Sequence, residues 1–241
     1  MKNLTKLTMK NTQLYILCLC LMSTLMHGQS TKDYNDFQTW YGASIKLDLP
    51  KRWSVSGQYR MRLADDASNY KGSYVYGQVD KRLSNVFEIT SSYRLAMVDK
   101  GTYHRYALGI EAQKEIGRFR ASIRPMIQYQ KQYFVGDDEQ SDTDAFIRTR
   151  FTGKYKLTRR LDVYAYTEPF VELDNSLAFD RFRNSAGLKY EVNKSFKVNL
   201  YYLWVPDYSH KQLRTNHIAG LDLEFTLKPW KKKKRIISVE E

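Results

Sequence analysis

Cysteine is nearly absent from this sequence. Of 241 residues only Cys18 and Cys20 are cysteines, and both lie in the N-terminal segment that we expect to be removed on export. The chain that remains has no disulfide, no thiol nucleophile and no cysteine-ligated zinc. An exported domain without disulfides needs another source of stability, and closing a β-sheet into a barrel would provide one.

Long apolar runs are scarce as well. The mean hydropathy of −0.59 excludes a bundle of membrane helices, each of which needs roughly 20 mostly apolar residues. The one apolar run, 14–26, is preceded by Lys2, Lys6 and Lys10. A basic segment followed by a short apolar segment predicts a secretory signal peptide over residues 1–28. A retained N-terminal anchor is the alternative.

From Phe37 onward, apolar and polar residues alternate. In the last segment every second residue from Ala219 to Leu227 is apolar, with Asp222 and Glu224 between them. A period of two indicates β-strands, because successive side chains point to opposite faces. Each segment is long enough for the roughly 9–11 residues with which a tilted strand crosses a bilayer. We place eleven segments, at 37–49, 53–63, 70–82, 86–98, 103–115, 118–132, 145–157, 161–173, 179–192, 195–205 and 217–227.

The links between these segments alternate between short turns and longer polar loops, as in outer-membrane barrels. The longest, 133–144, carries five acids and predicts an acidic outer loop. Pro125 and Pro169 fall inside strands and predict a bulge or a local bend there.

The predicted fold is therefore all-β, an antiparallel transmembrane β-barrel of about 10–12 strands over residues 29–227, in the outer membrane of a Gram-negative bacterium. Eleven segments conflict with the even strand number of single-chain bacterial barrels. Either a short strand lies within 30–36, one segment is wrongly split or merged, or residues 29–36 thread the lumen.

Arginine supports this assignment of faces. An arginine at the midplane of a barrel's lipid face costs about 2–4 kcal/mol, so arginines should point inward. None of the 17 arginines falls on an apolar face, and ten fall on polar-face strand positions: Arg60, Arg62, Arg94, Arg105, Arg120, Arg124, Arg148, Arg150, Arg181 and Arg183.

We expect these arginines to meet acids in a charged lumen network. One interpretation is a structural network of Arg–Glu pairs and tyrosines. The other is a narrow anion-selective pore or an arginine ladder for phosphorylated ligands. The candidate residues are Arg60, Arg62, Arg94, Arg120, Arg124, Arg148, Arg150, Arg181, Arg183, Glu88, Glu111, Glu168, Glu172, Asp222 and Glu224.

The net charge of +13 and the 19 tyrosines together suggest a nucleic-acid-binding protein. Such binding needs basic and aromatic side chains on one shared face. Here the aromatics fall mainly on the apolar faces, as in the aromatic girdles of membrane barrels, and we expect outer-membrane lipid as the partner and no nucleic acid. The girdle candidates are Tyr41, Trp53, Tyr59, Tyr93, Tyr129, Tyr155, Tyr190, Tyr202 and Trp204.

Residue types that carry catalysis are few. The chain after residue 28 has His104, His210 and His217, no HExxH and no phosphate-binding glycine loop. Ser209 beside His210 shows only adjacency in sequence, and Glu168 with Glu172 is an unspecific carboxylate pair. We expect no catalytic residue, no metal site and no cofactor. A barrel-embedded lipid-modifying enzyme and a periplasmic lipocalin-like binding protein remain as alternatives.

The C-terminal segment 228–241 is a basic tail with a net charge of +4. It predicts either a solvated end or contact with an anionic surface. We expect the barrel-assembly machinery to act on the chain during insertion, with Phe225 as the aromatic residue of the final strand.

Four segments resemble a known family: 59–62, 146–150, 167–170 and 183–190, with the paired arginines of YRMR and FIRTR and the Glu-aromatic pattern of TEPF. They are similar to the domain-of-unknown-function family 2490, predicted outer-membrane β-barrels of Bacteroidota. The region of Trp40 resembles the first strand of that family. The resemblance covers about residues 35–227 and implies a barrel of unknown activity.

Overall fold

In a computed structural model of the chain, the structure describes residues 34–99, 101–134, 143–173, 178–208 and 214–227. The predicted signal peptide, most of the acidic loop, the Ser209–His210 pair and the basic tail lie outside the described residues. No helix in the described ranges is long and apolar enough to span a membrane.

Eleven β-strands carry nearly all of the described residues. They agree with the predicted segments to within three residues at every end. The strands are β1 (Tyr34–Leu49), β2 (Trp53–Ala64), β3 (Asn69–Arg82), β4 (Phe87–Val98), β5 (Gly101–Ile116), β6 (Phe119–Phe134), β7 (Thr143–Lys156), β8 (Leu161–Glu172), β9 (Phe179–Asn193), β10 (Phe196–Asp207) and β11 (Arg214–Leu227), and a one-turn 3-10 helix (Pro50–Arg52) joins β1 to β2.

The sheet closes into a barrel in which every strand pairs with its neighbours in sequence and β1 pairs with β11. Consecutive strands are antiparallel, whereas β1 and β11 are parallel, in a register from Tyr34↔Arg214 to Leu47↔Leu227. The predicted all-β barrel is confirmed. The expectation of an even strand number is wrong, because a parallel seam lets the first and last strands run in the same direction.

The structure also tests the three explanations for the odd number of predicted strands. No predicted segment is split or merged. Residues 34–36 continue β1 in register with β11, so they form neither a separate strand nor a lumen segment. Residues 29–33 lie outside the described residues.

The two rims of the barrel differ in the links they carry. At one rim, called the loop-side rim, β1 and β11 begin and the links 65–68, 99–100, 135–142, 173–178 and 208–213 connect strands. At the other, called the turn-side rim, the links are 50–52, 83–86, 117–118, 157–160 and 194–195. The three longest links, 135–142, 173–178 and 208–213, thus lie at the loop-side rim, whereas 65–68 and 99–100 are no longer than the turn-side links.

The strand prolines affect the ladders in different ways. Beside Pro125 the β5–β6 pairing skips from Gly109↔Met126 to Ala112↔Ile123 with no change of register, so there is no bulge, and the local bend expected as the other possibility stays a prediction. The missing N–H of proline accounts for the gap. In β8 the register with β9 does shift, one residue after Pro169.

The outer face is apolar and aromatic. All nine predicted girdle aromatics are exposed, from Tyr93 at 36% to Tyr59 at 49%. Aliphatic side chains between them are as exposed, with Leu108 at 60% and Ile127 at 63%. The alternation seen in the sequence is therefore an alternation between the outer face and the lumen.

Gly220, at the seam, supports a prediction. A Cβ added there would collide with the ring of Tyr201, over which the Arg60 guanidinium lies at 5.6 Å. We expect Gly220→Ala to destabilise the barrel by about 1–3 kcal/mol, the usual cost of overpacking. Urea unfolding in detergent micelles measures it. Gly57→Ala is the control, since nothing lies within 4 Å of its added Cβ, and equal midpoints for the two variants would contradict the prediction.

Candidate functional site: the arginine-lined lumen

Three cavities lie end to end inside the barrel. The loop-side cavity, about 500 Å³, is bounded by residues near the strand ends at that rim, including Asp36, Ala64 and Val98. The central chamber has about 460 Å³. The turn-side cavity is smaller, about 180 Å³, and has Glu111 and Arg120 in its wall.

Adjacent cavities share wall residues, which marks where they meet. The loop-side cavity and the central chamber share Trp40 and three arginines, Arg94, Arg105 and Arg183, called here the shared arginines. The central chamber and the turn-side cavity share residues of β6 and β7, namely Arg124, Arg150, Thr152 and Lys154. Cationic side chains therefore stand at both junctions of the lumen.

The central chamber is strongly basic. Among the described residues, its wall has seven arginines, two lysines and a single acid, Asp222. The cations are Arg60, Arg94, Arg105, Arg124, Arg148, Arg150, Lys154, Arg183 and Lys189. Strand periodicity explains the clustering, because each of these residues belongs to the alternate set of its strand that carries polar side chains and faces the lumen.

Five acids neutralise part of this charge. Arg60 Nη2 contacts Asp222 Oδ2 at 2.5 Å, and Gly42 leaves room for the pair, since a Cβ there would meet both side chains. Glu168, fully buried, accepts from Arg150 Nη2 at 3.0 Å and lies 3.9 Å from Arg148 Nε. Glu111, Asp162 and Glu224 contact Arg124 at 3.9 Å, Lys154 at 2.6 Å and Lys189 at 2.8 Å. Nine cations against five acids leave a formal excess of four positive charges.

The shared arginines account for most of that excess. None of them has an acid within 4.0 Å among the described residues. Arg94 lies over the ring of Tyr74 at 5.1 Å, and Arg183 over that of Phe170 at 4.7 Å. Arg105 donates from Nε to Gln130 Oε1 at 3.1 Å. Aromatic faces and an amide hold these guanidinium groups in place without cancelling their charge.

Comparison with known proteins shows which family the chain belongs to. The model of the family described as "Protein of unknown function (DUF2490)" matches residues 37–216. The chain belongs to this family. Among curated proteins there is no match.

Among solved structures, this DUF2490 barrel is similar to the NanC porin and the KdgM porin. The NanC similarity covers 71% of this chain and 87% of that one, with 12% identity and a TM-score of 0.48. The KdgM similarity covers 67% of this chain and 81% of that one, with 12% identity and a TM-score of 0.42.

The remaining candidate residues of the DUF2490 barrel lie nearer the rims. Towards the turn side, Glu88 lies 3.5 Å from Arg82, and Arg120 bonds to Glu115. Towards the loop side, Arg181 contacts Asp180 at 2.5 Å and Asp207 at 3.9 Å. Arg62 has Tyr74 at 5.7 Å, and the backbone N–H of Glu172 donates to the Ala178 carbonyl at 3.0 Å.

Some lumen residues were not among the sequence candidates. Lys154 and Lys189 line the central chamber. Each is separated by an even number of residues from an arginine of its own strand, Arg150 or Arg183, and that spacing could have identified both lysines as lumen residues. Trp40 borders two cavities and donates to Gln38 Oε1 at 3.2 Å. Because aromatic residues are expected on the outer face, the sequence does not single out this inward tryptophan, although it lies two residues from Gln38 and therefore on the same face of β1.

The two histidines among the described residues point away from the lumen. His104 Nδ1 lies 2.7 Å from the Tyr93 hydroxyl, and His217 Nδ1 lies 2.5 Å from the Tyr202 hydroxyl. Within the described ranges, no three side chains of the metal-binding types cluster.

Proposed function

We propose that this DUF2490 protein is an outer-membrane β-barrel whose lumen conducts anions. The observation that carries the proposal is the charge of the central chamber, where nine cations meet five acids and none of the shared arginines has an acid within 4.0 Å among the described residues. A wall built only to brace the barrel would pair its buried charges, since an unpaired buried charge is costly.

The outer surface supports a membrane location. Among the described residues, 39 large apolar or aromatic side chains are exposed. Soluble monomers rarely expose apolar patches larger than a few hundred Å². Lipid would cover such a surface. A periplasmic lipocalin-like protein would instead carry polar side chains on the outside of its barrel, so the outer face argues against that alternative.

The electrostatics of the lumen suggest how an anion would move. A charged cleft with low-dielectric walls concentrates ions of opposite sign, and rings of arginine or lysine select anions in pores. An anion entering at the loop side would exchange water for guanidinium N–H groups at the shared arginines. It would then meet Arg150, Arg124 and Lys154 at the junction with the turn-side cavity. Successive sites of moderate strength favour passage over trapping.

The structural network expected as the alternative explains other parts of the same wall. The pairs of Glu168 with Arg150 and of Asp222 with Arg60 connect β8 to β7 and β11 to β2, so they brace the barrel. Glu168 also lies opposite Arg183 in the β8–β9 register, whereas Arg94 and Arg105 have no acid within 4.0 Å among the described residues. The network and the conduction path therefore overlap at residues such as Arg150, whereas Arg94 and Arg105 belong to the path alone.

The purified barrel should show heat-modifiable migration on gels and, in planar bilayers under a salt gradient, a reversal potential of the sign that marks anion selectivity. Arg94→Gln with Arg105→Gln removes two of the four excess charges, both at the shared arginines. We therefore expect the reversal potential to fall by about half. Lys114→Gln removes an outward lysine near the turn-side rim; it is the control and should leave the reversal potential unchanged.

Cation selectivity would contradict the proposal. Inserted but silent protein would favour a structural role, and lipid turnover would favour an embedded enzyme.

A further inference from the structure

A basic and aromatic cluster lies on the outer face of β4, β5 and β6, close to the loop-side rim. His104 and Lys131 are directly opposite each other in the β5–β6 register. Tyr133 lies beside both, with its ring centroid 5.1 Å from that of His104 and 4.9 Å from Lys131 Nζ. On the other side, the Tyr93 hydroxyl is 2.7 Å from His104 Nδ1, and Tyr106 lies 4.9 Å from Tyr93 between centroids.

The depth of this cluster corresponds to a lipid headgroup region. β5 and β6 have 16 residues each, whereas a tilted strand needs roughly 9–11 to cross the hydrocarbon. His104 is the fourth residue of β5 and Lys131 the fourth from the end of β6. Both therefore lie close to the loop-side end of their strands, near the boundary of the hydrocarbon, where tyrosine rings also prefer to lie.

The charge of the cluster is uncompensated among the described residues. Neither Lys131 nor His104 forms an ion pair with one of them. Tyr93 occupies His104 Nδ1, which leaves Nε2 of the ring available. A lysine, a histidine and tyrosine hydroxyls on one surface form a set of hydrogen-bond donors suited to phosphate oxygens.

We propose that this cluster, defined by Tyr93, His104, Lys131 and Tyr133, binds the phosphate of an anionic lipid headgroup. The site is separate from the lumen and rests on the membrane location put forward above. Lys131 Nζ supplies the charge, and His104 Nε2 and the tyrosine hydroxyls supply hydrogen bonds. The exposed Tyr106 and Leu108 below it would contact the lipid's acyl chains.

The experiment is native mass spectrometry of the full-length barrel released from micelles with phosphatidylglycerol or phosphatidylcholine. We expect wild-type protein to retain phosphatidylglycerol in preference to phosphatidylcholine. Lys131→Gln with His104→Gln should weaken phosphatidylglycerol binding about tenfold, the effect of losing a charge-assisted hydrogen bond. Lys131→Arg should keep it. Lys114→Gln removes an outward lysine from β5 near the opposite rim, so it is the matched control and should also bind normally.

Equal retention of phosphatidylglycerol by wild type and the double variant would overturn the lipid site, as would equal retention of the two lipids by wild type. Either result leaves the lumen proposal standing, because bilayer conductance is measured separately on the same variants. Failure of wild type to show heat-modifiable migration would instead overturn the membrane location itself, and the lipid site with it.

Discussion

Glu168→Gln is expected to lower the free energy of unfolding by about 3–5 kcal/mol, the range for removing one partner of a buried ion pair. Glu168 is fully buried and contacts Arg150 at 3.0 Å and Arg148 at 3.9 Å. Glutamine keeps the shape but removes the charge, so two buried guanidinium groups lose their counter-ion. Urea unfolding of the refolded barrel, followed by gel migration or tryptophan fluorescence, measures the change.

The control for this variant is Glu115→Gln. Glu115 bonds to Arg120 at the turn-side rim, where both side chains are exposed, and exposed pairs contribute little to stability. We expect no measurable shift in its unfolding midpoint. If Glu168→Gln unfolded at the same urea concentration as wild type, Glu168 would not be the counter-ion that holds these arginines.

Reversing charge at two shared arginines, with Arg94→Glu and Arg183→Glu together, is expected to abolish anion selectivity. The two substitutions change four charges and so cancel the formal excess of four in the central chamber. The new carboxylate at position 94 would lie near Arg105 and Arg148, but the one at position 183 would face Glu168 across β8 and β9. Heat-modifiable migration of the double variant therefore shows first that it has folded. The reversal potential under a salt gradient should fall to near zero.

The same change of charge on the outer face should have no such effect. Lys81→Glu with Lys114→Glu also changes four charges, but both lysines point away from the lumen, Lys81 over the ring of Trp53 at 4.7 Å. Its reversal potential should match that of wild type. A double lumen variant that stayed as anion-selective as wild type would show that the shared arginines do not line the conducting path.

The strands of this barrel could be predicted from the sequence because lipid-type and lumen-type residues alternate with a period of two over 11 or more residues. That signal is local and needs no knowledge of neighbours. The parallel pairing of β1 with β11 could not be predicted, because it joins Tyr34 to Arg214 across most of the chain. No local pattern distinguishes a strand that meets an antiparallel neighbour from one that closes a seam.

The alternation along each strand predicts which side chains face the lumen, but it does not predict which of those side chains form ion pairs. Counting in twos along each strand assigned Arg94, Arg148 and Arg183 to the polar face without a structure. Which acid meets which arginine depends on register and closure: Arg60 meets Asp222 across the seam region, 162 positions away in sequence. The absence of an acid partner at Arg94 among the described residues follows from the same long-range geometry, so the sequence alone leaves both the network and the pore as interpretations.

The parallel seam also has a kinetic consequence. Ten of the eleven strand pairs are antiparallel neighbours that can form as successive hairpins or short links, each with little loop-closure entropy. The eleventh must bring the two ends of the sheet together after all the others exist, which raises the contact order of the whole domain. Until that step, β1 and β11 are both unpaired edges, and such edges are templates for pairing with another chain. The seam is therefore where we expect folding to be slowest and intermolecular misassembly to begin.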